Sequence, residues 1–260
     1  MLRQATKSVR EPIVRNLPTL AIRKEDVRAI IFDLDRTLIK SSLGFDKALS
    51  KAANFLTQYF KRQGHSISGA KIYGTLRSIA KSFESQGLYD RDEWWIILLR
   101  KLGLSHLSGK WVHEVTMLYW RTYIAASPPY PDAENTLRTL RKRGYRLALV
   151  TDTDGTPGMK RKRVKALAFY DLFETVVVAG EDTPKIKPSK MPFTFVAKRL
   201  RLSPKKCVYV GDNPKVDVKG AKAVGMQTIL VKRHGLKADR PTLVINSLSQ
   251  LLRIFKGLDG

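Results

Sequence analysis

Residues 29–38 read Ala-Ile-Ile-Phe-Asp-Leu-Asp-Arg-Thr-Leu, an apolar run ending in two carboxylates two apart and then a threonine. The branched run of Ile30, Ile31 and Phe32 has the length and make-up of a strand buried in a parallel sheet. Asp33 and Asp35 then fall just past its C-terminal edge, where open α/β sheets place their ligands. Carboxylates delivered there are costly to desolvate unless a cation or hydrogen-bond donors meet them. Taken alone, the pattern also fits a turn with solvated aspartate caps.

Three later segments extend the pattern. Residues 145–150 form a second apolar run that ends on Thr151, and a third, 175–179, precedes Lys187-Pro188. A fourth, 207–210, leads into Gly211-Asp212-Asn213-Pro214-Lys215-Val216-Asp217. In this order and spacing the set resembles the haloacid dehalogenase (HAD) superfamily of phosphohydrolases, in particular phosphoglycolate phosphatase-like members with a helical C1-type cap. The superfamily motifs are DxDx(T/V), a Ser or Thr after the second strand, a Lys, and GDxxxD. The resemblance runs from about residue 27 to the C-terminus, apart from the insert between the first two motifs.

The resemblance implies a role for each motif residue. Asp33 is the nucleophile that forms an aspartyl-phosphate, and Asp35 is the acid and base that serves the leaving oxygen and the attacking water. Mg²⁺ is the implied cofactor, held by Asp33, the Asp35 backbone carbonyl and Asp212, an oxygen set that suits a hard cation. Asp217 stands behind them, holding waters or Lys187. Thr151 and the backbone N–H of Asp152 bind phosphoryl oxygens, while Lys187 neutralises charge. Arg36 departs from the family, since many of its phosphatases carry Gly there, which puts the local turn in question. The acid at position 35 disfavours dehalogenation, because dehalogenases of the superfamily lack one.

A competing match lies at residues 152–156, Asp-Thr-Asp-Gly-Thr, which fits the phosphatase pattern more literally and also follows an apolar run. Were Asp152 the nucleophile, a hydroxyl-ended strand should intervene before Lys187. The only run available ends in Gly180-Glu181-Asp182 instead. The site is therefore placed on Asp33, and 152–156 is read as a turn rich in Asp and Gly for backbone reasons.

Over a hundred residues separate Asp33 from Thr151, far more than a crossover helix needs. The later gaps, about 36 and 25 residues, each suit one βα unit. Within the insert, Phe45, Leu49, Ala52, Ala53, Leu56, Tyr59 and Phe60 recur at helical spacing, and 68–86, 91–102 and 108–126 continue the style. The expected architecture is α/β: a doubly wound, Rossmann-like parallel sheet with a smaller all-helical cap inserted after the first strand. The resemblance implies the strand order 5-4-1-2-3. The divisions are a basic extension at 1–26, core at 27–40, cap at 41–126, and core again at 127–260. Hinges are expected near 40–43 and 127–131. The four tryptophans all fall in the cap, as core with one or two facing substrate, and Gly74, Gly87 and Gly103 read as helix ends.

Lys plus Arg number 48 against 23 Asp plus Glu, a net charge of +25 that favours anionic partners. The runs Lys160-Arg161-Lys162-Arg163 and Arg138–Lys142 read as solvated helix faces. The leading partner is a small phosphorylated substrate. A nucleotide or nucleic-acid end is the alternative, and a non-catalytic anion- or nucleic-acid-binding protein a further one, which the clustered acids disfavour. No base-stacking aromatics interleave with the basic residues, so only weak, non-specific nucleic-acid binding is expected. No apolar run is long enough to span a membrane, and no secretory signal is read, so a cytoplasmic protein is expected. Cys207 reads as a buried small hydrophobe, and His65, His106 and His113 lack zinc-ligand spacing. Oligomeric state is not encoded in these patterns.

Overall fold

Alternate residues of the first strand go to opposite layers, as a pleated backbone requires. The computed structural model describes residues 22–107, 109, 111–233 and 241–257. Its strands are β1 (Ala29–Phe32), β2 (Arg146–Asp152), β3 (Thr175–Ala179), β4 (Cys207–Gly211), β5 (Gln227–Val231) and β6 (Leu243–Ile245). All pair in parallel, in the order β3-β2-β1-β4-β5-β6. This is the expected 5-4-1-2-3 order with β6 added outside β5. Phe32 pairs with Leu149 on one side and Val210 on the other, so β1 is central, with β2 continuing past its end to Asp152 and β4 to Gly211.

The helices are α1 (Ser41–Arg62), α2 (Gly69–Gln86), α3 (Arg91–Leu102), α4 (Trp111–Ala125), α5 (Ala133–Lys142), α6 (Met159–Lys165), α7 (Lys190–Arg199), α8 (Lys219–Lys222) and α9 (Leu251–Ile254). Ile30, Phe32, Leu147, Leu149, Val208 and Val210 pack on one face of the sheet with Leu137 and Leu140 of α5 and Leu251 of α9. Ala29, Ile31, Ala148, Val150 and Tyr209 pack on the other with Phe193, Val196 and Ala197 of α7. Burial on both faces accounts for the unbroken apolar runs. Each fully buried Ile, Leu or Phe contributes about 1.5–3 kcal/mol. Ile22 also packs into the first of these cores and Arg23 N donates to Gln227 Oε1, so residues 22–26 lie on the sheet layer rather than in the expected extension. Residues 1–21 lie outside the described residues.

Helices α1 to α4 enclose a separate core that includes Leu49, Leu56, Phe60, Trp94, Trp95, Trp111 and Trp120. The two connections to this bundle run side by side: Lys40 N donates to Pro128 O and Tyr130 N to Leu38 O, both at 2.9 Å. Gly87 and Gly103 end α2 and α3 in left-handed conformations, as expected. Gly74, also expected at a helix end, lies inside α2, its place held by the flanking helix periodicity.

The bundle rests on the loop after β2. Gly155 has φ +79°, and a Cβ there would lie 2.2 Å from the Tyr89 carbonyl carbon and 2.4 Å from Asp90 N. Gly155→Ala is therefore expected to strain the turn by about 1–2 kcal/mol and push the α2–α3 connection away. Hydrogen exchange would show faster amides around residues 87–92 with the sheet unchanged. Unaltered exchange there would refute the contact.

Candidate active site

The turn after β1 folds back on itself, with Leu34 O accepting from Leu38 N at 2.9 Å and Arg36 N donating to Ile39 O at 2.9 Å. This aims both carboxylates of the DxDxT motif into one cavity of about 540 Å³ between the sheet edge and the helical bundle. Thr151, Asp152, Lys187, Asp212 and Asp217 line the same cavity, so all seven candidate residues meet there.

Lys187 Nζ lies 2.6 Å from Asp33 Oδ1 and 2.8 Å from Asp217 Oδ1, and all three groups are buried. Thr37 Oγ1 donates to Asp33 Oδ2 at 3.0 Å. Asp217 Oδ2 accepts from Asn213 N at 3.0 Å, which uses its second oxygen. Gly211 is required by this packing, since a Cβ there would lie 2.4 Å from Asp217 Oδ2. The competing motif takes another part: Asp152 Oδ1 accepts from Lys187 N at 3.0 Å and so anchors the lysine's backbone. Thr151 sits buried at the end of β2.

Asp33, Asp212 and Asp217 present oxygens within 4.8 Å of one another. Asp212 Oδ2 is buried and accepts no hydrogen bond, although Arg36 Nε approaches to 3.1 Å. An acceptor left open among clustered acids fits a hard divalent cation, which Asp212 would hold together with the neighbouring Asp33 carboxylate. Arg36 itself has φ 63°, a left-handed conformation that glycine adopts most readily. The turn survives the departure, and the guanidinium bridges Asp212 and Glu84 of α2.

Without a cation, Asp212 and Asp33 are both harder to ionise than a free carboxyl. Burial, with repulsion from Asp33 and Asp217 outweighing Arg36, raises the Asp212 pKa to about 8. Burial likewise raises Asp33 to about 6 despite Lys187. Because the folded values exceed the unfolded ones, both groups cost stability increasingly as pH rises from about 4 toward 8. A divalent cation held by these acids would have to displace their protons, so the affinity for added Mg²⁺ should rise with pH through this window and level off above about 8. Calorimetry across that range checks this; an affinity independent of pH would refute it.

Asp35 belongs to a second cluster. Burial opposes its charge, but Arg163 and Lys160 hold its carboxyl far below the usual range. Lys160 Nζ lies 2.6 Å from Oδ2, Arg163 Nη2 donates to Oδ1 at 2.7 Å, and Tyr123 OH of α4 donates to Oδ1 at 3.2 Å. Both cations also pair with buried Asp154, at 2.8 Å from Lys160 and 2.7 Å from Arg163. This corrects the reading of 160–163 as a solvated face: Lys160 and Arg163 are buried. Asp154, Lys160, Arg163 and Tyr123 are the site residues that sequence patterns missed.

All four tryptophans are buried, and Trp94 also lines the cavity. Cys207 is buried, its thiol pushed up to about 11 by burial. The His65 and His106 rings come within 5.5 Å, but the only acid, thiol and imidazole cluster that could hold a metal among the described residues is Asp33, Asp212 and Asp217. No described helix is long and apolar enough to cross a membrane.

A parallel sheet with acids and a lysine gathered at the C-terminal end of its central strand defines a class of hydrolase, and the sequence matches it. Residues 27–225 match the haloacid dehalogenase-like hydrolases, and the chain belongs to that family. It is 30% identical over 241 residues to glyceraldehyde 3-phosphate phosphatase of Pyrococcus furiosus, covering 90% of this chain and 95% of that one. It is 28% identical to phosphoglycolate phosphatase of Shigella dysenteriae, covering 88% and 92% of the two chains. The crystal structure of a HAD phosphatase from Thermococcus onnurineus superposes with a TM-score of 0.64 at 28% identity, over 89% of this chain and 99% of that one.

Proposed function

We infer that the protein is a Mg²⁺-dependent phosphatase of small phosphorylated metabolites, working through an aspartyl-phosphate on Asp33. The observation that carries this reading is Asp33 buried against Lys187, beside the open oxygen of Asp212. Bound Mg²⁺ would supply charge neutralisation to the phosphoryl group and keep Asp33 and Asp212 ionised. Thr151 and the Asp152 N–H offer donors to phosphoryl oxygens, and Lys187 offers positive charge that needs no reorganisation. Asp33 Oδ attacks phosphorus as the leaving oxygen departs with a proton from Asp35. Asp35 then takes a proton from the water that cleaves the acyl phosphate. The Lys160 and Arg163 contacts favour the ionised form, which serves the water step, so the proton that Asp35 passes to the leaving oxygen enters with the substrate's phosphate monoanion.

The bundle of α1 to α4 acts as a cap over this chemistry, excluding water from the intermediate and turning on the paired connections at 38–40 and 128–130. A covered cavity of this size suits a metabolite better than a polymer end. Phosphate release from a panel of phosphorylated metabolites and a 5′-phosphorylated oligonucleotide, with and without Mg²⁺, tests the reading. Mg²⁺-dependent turnover fastest on a small ester is expected. Turnover without metal, or fastest on the oligonucleotide, would overturn it.

A further inference from the structure

Arg91 begins α3 and lines the cap wall of the cavity, with only 8% of its surface exposed. A buried guanidinium normally has an acidic partner. The other cations in contact with the site's acids do: Lys187 has Asp33 and Asp217, Lys160 and Arg163 have Asp35 and Asp154, and Arg36 has Asp212, while Lys81 on the cavity rim is solvent-exposed. Arg91 pairs with no carboxylate among the described residues. Its Nη1 donates to Tyr89 O at 2.7 Å, while its Nε has no hydrogen-bond partner.

One neighbour shares this lack. The guanidinium lies 3.9 Å from the Trp94 ring centre and 5.4 Å from that of Tyr119. Trp94 Nε1 is also buried without a hydrogen bond, while Tyr119 OH has the Arg91 guanidinium itself beside it. Two unmet donors, Arg91 Nε and Trp94 Nε1, therefore sit on neighbouring side chains of the cavity wall. Guanidinium and indole N–H groups only donate, so the missing partner is an acceptor. The unmatched positive charge makes that acceptor an anion.

We propose that Arg91, with Trp94, forms a second anion subsite for a substrate that carries a carboxylate as well as its phosphate. This rests on the phosphatase reading above and specifies its substrate class. One carboxylate balances the one buried cation that lacks an acidic partner, and its planar oxygens suit the edge of a guanidinium. A second phosphate dianion would leave excess negative charge in a buried wall. A substrate with phosphate at Asp33 and carboxylate at Arg91 would also join sheet and cap, and so favour closure.

The test uses the intact chain with Mg²⁺ and phosphonates, which are not hydrolysed. The wild type should bind 3-phosphonopropionate roughly 10- to 100-fold tighter than propylphosphonate, as a charge-assisted pair predicts. Arg91→Gln should remove that preference and Arg91→Lys should keep part of it, with thermal melts confirming that each variant is folded. Turnover should follow: the ratio of kcat/KM for phosphoglycolate over ethyl phosphate should fall by a similar factor in Arg91→Gln. Equal binding of the two phosphonates by the wild type overturns the subsite without any variant, while leaving the phosphatase reading intact if esters are turned over. A preference for 1,3-propanebisphosphonate over the carboxylate overturns the choice of anion. Neither phosphonate binding nor any ester turnover would sink both readings together.

Discussion

Asp33→Asn should lower phosphatase turnover by roughly three to six decades, the scale on which removal of a nucleophile acts. The substitution removes the attacking anion and a metal-facing charge while keeping an isosteric group on Thr37 and Lys187. Folding should survive, because the amide still offers Lys187 an oxygen. Asp35→Asn should cost less, about two to four decades, since it removes proton transfer but not the nucleophile. That variant should also accumulate phosphate on Asp33, detectable in the acid-quenched protein by mass. Asp152→Asn separates the two motifs, because Asp152 anchors only the Lys187 backbone. Near wild-type turnover in Asp33→Asn, with turnover abolished in Asp152→Asn, would move the nucleophile to the second motif.

Lys187→Met should be the most destabilising single change at the site. It strands Asp33 and Asp217, two buried carboxylates that now share one ammonium at 2.6 and 2.8 Å. Breaking a buried pair in this way costs about 3–5 kcal/mol, or roughly 6–20 °C in melting temperature for a chain of this size. The deficit should depend on pH, and its sign follows from linkage. Stranded carboxylates have folded pKa values above their unfolded ones, so they cost stability as pH rises above about 4. The gap between variant and wild type should therefore widen from acid toward pH 8. In the wild type, the two acids raise the Lys187 pKa well above its ordinary value despite burial. Its contribution is thus fully present below about 10.4 and lost only as pH climbs through the raised value. Melting curves of both proteins over this range decide the matter; a deficit that shrinks toward alkaline pH would refute the account.

The two clusters also explain why motifs and architecture are unequally legible. A strand buried on both faces must be apolar throughout, and a ligand-facing edge must end it with polar groups. Both constraints are local, so β1 with Asp33 and Asp35, β2 with Thr151, and β4 with Asp212 stand out in a single chain. The same holds for the amphipathic spacing of α1 to α4 and for the long gap that sets them apart from the sheet.

Lys160 and Arg163 show the opposite case. Within a run of four basic residues, nothing nearby distinguishes a buried cation from a solvated one. What separates them is Asp35, well over a hundred residues earlier, and Asp154 across the turn. Arg91 is harder still, because its distinguishing property is a missing partner, which only a packed structure reveals. The chain's own order of residues therefore determined the sheet, its strand ends and the helical insert, since burial periodicity is written locally. Which charges are desolvated, which acid answers which cation, and which cation is left unanswered were decided by tertiary packing alone. Electrostatic partners are chosen by distance in space, and separation along the chain does not encode it.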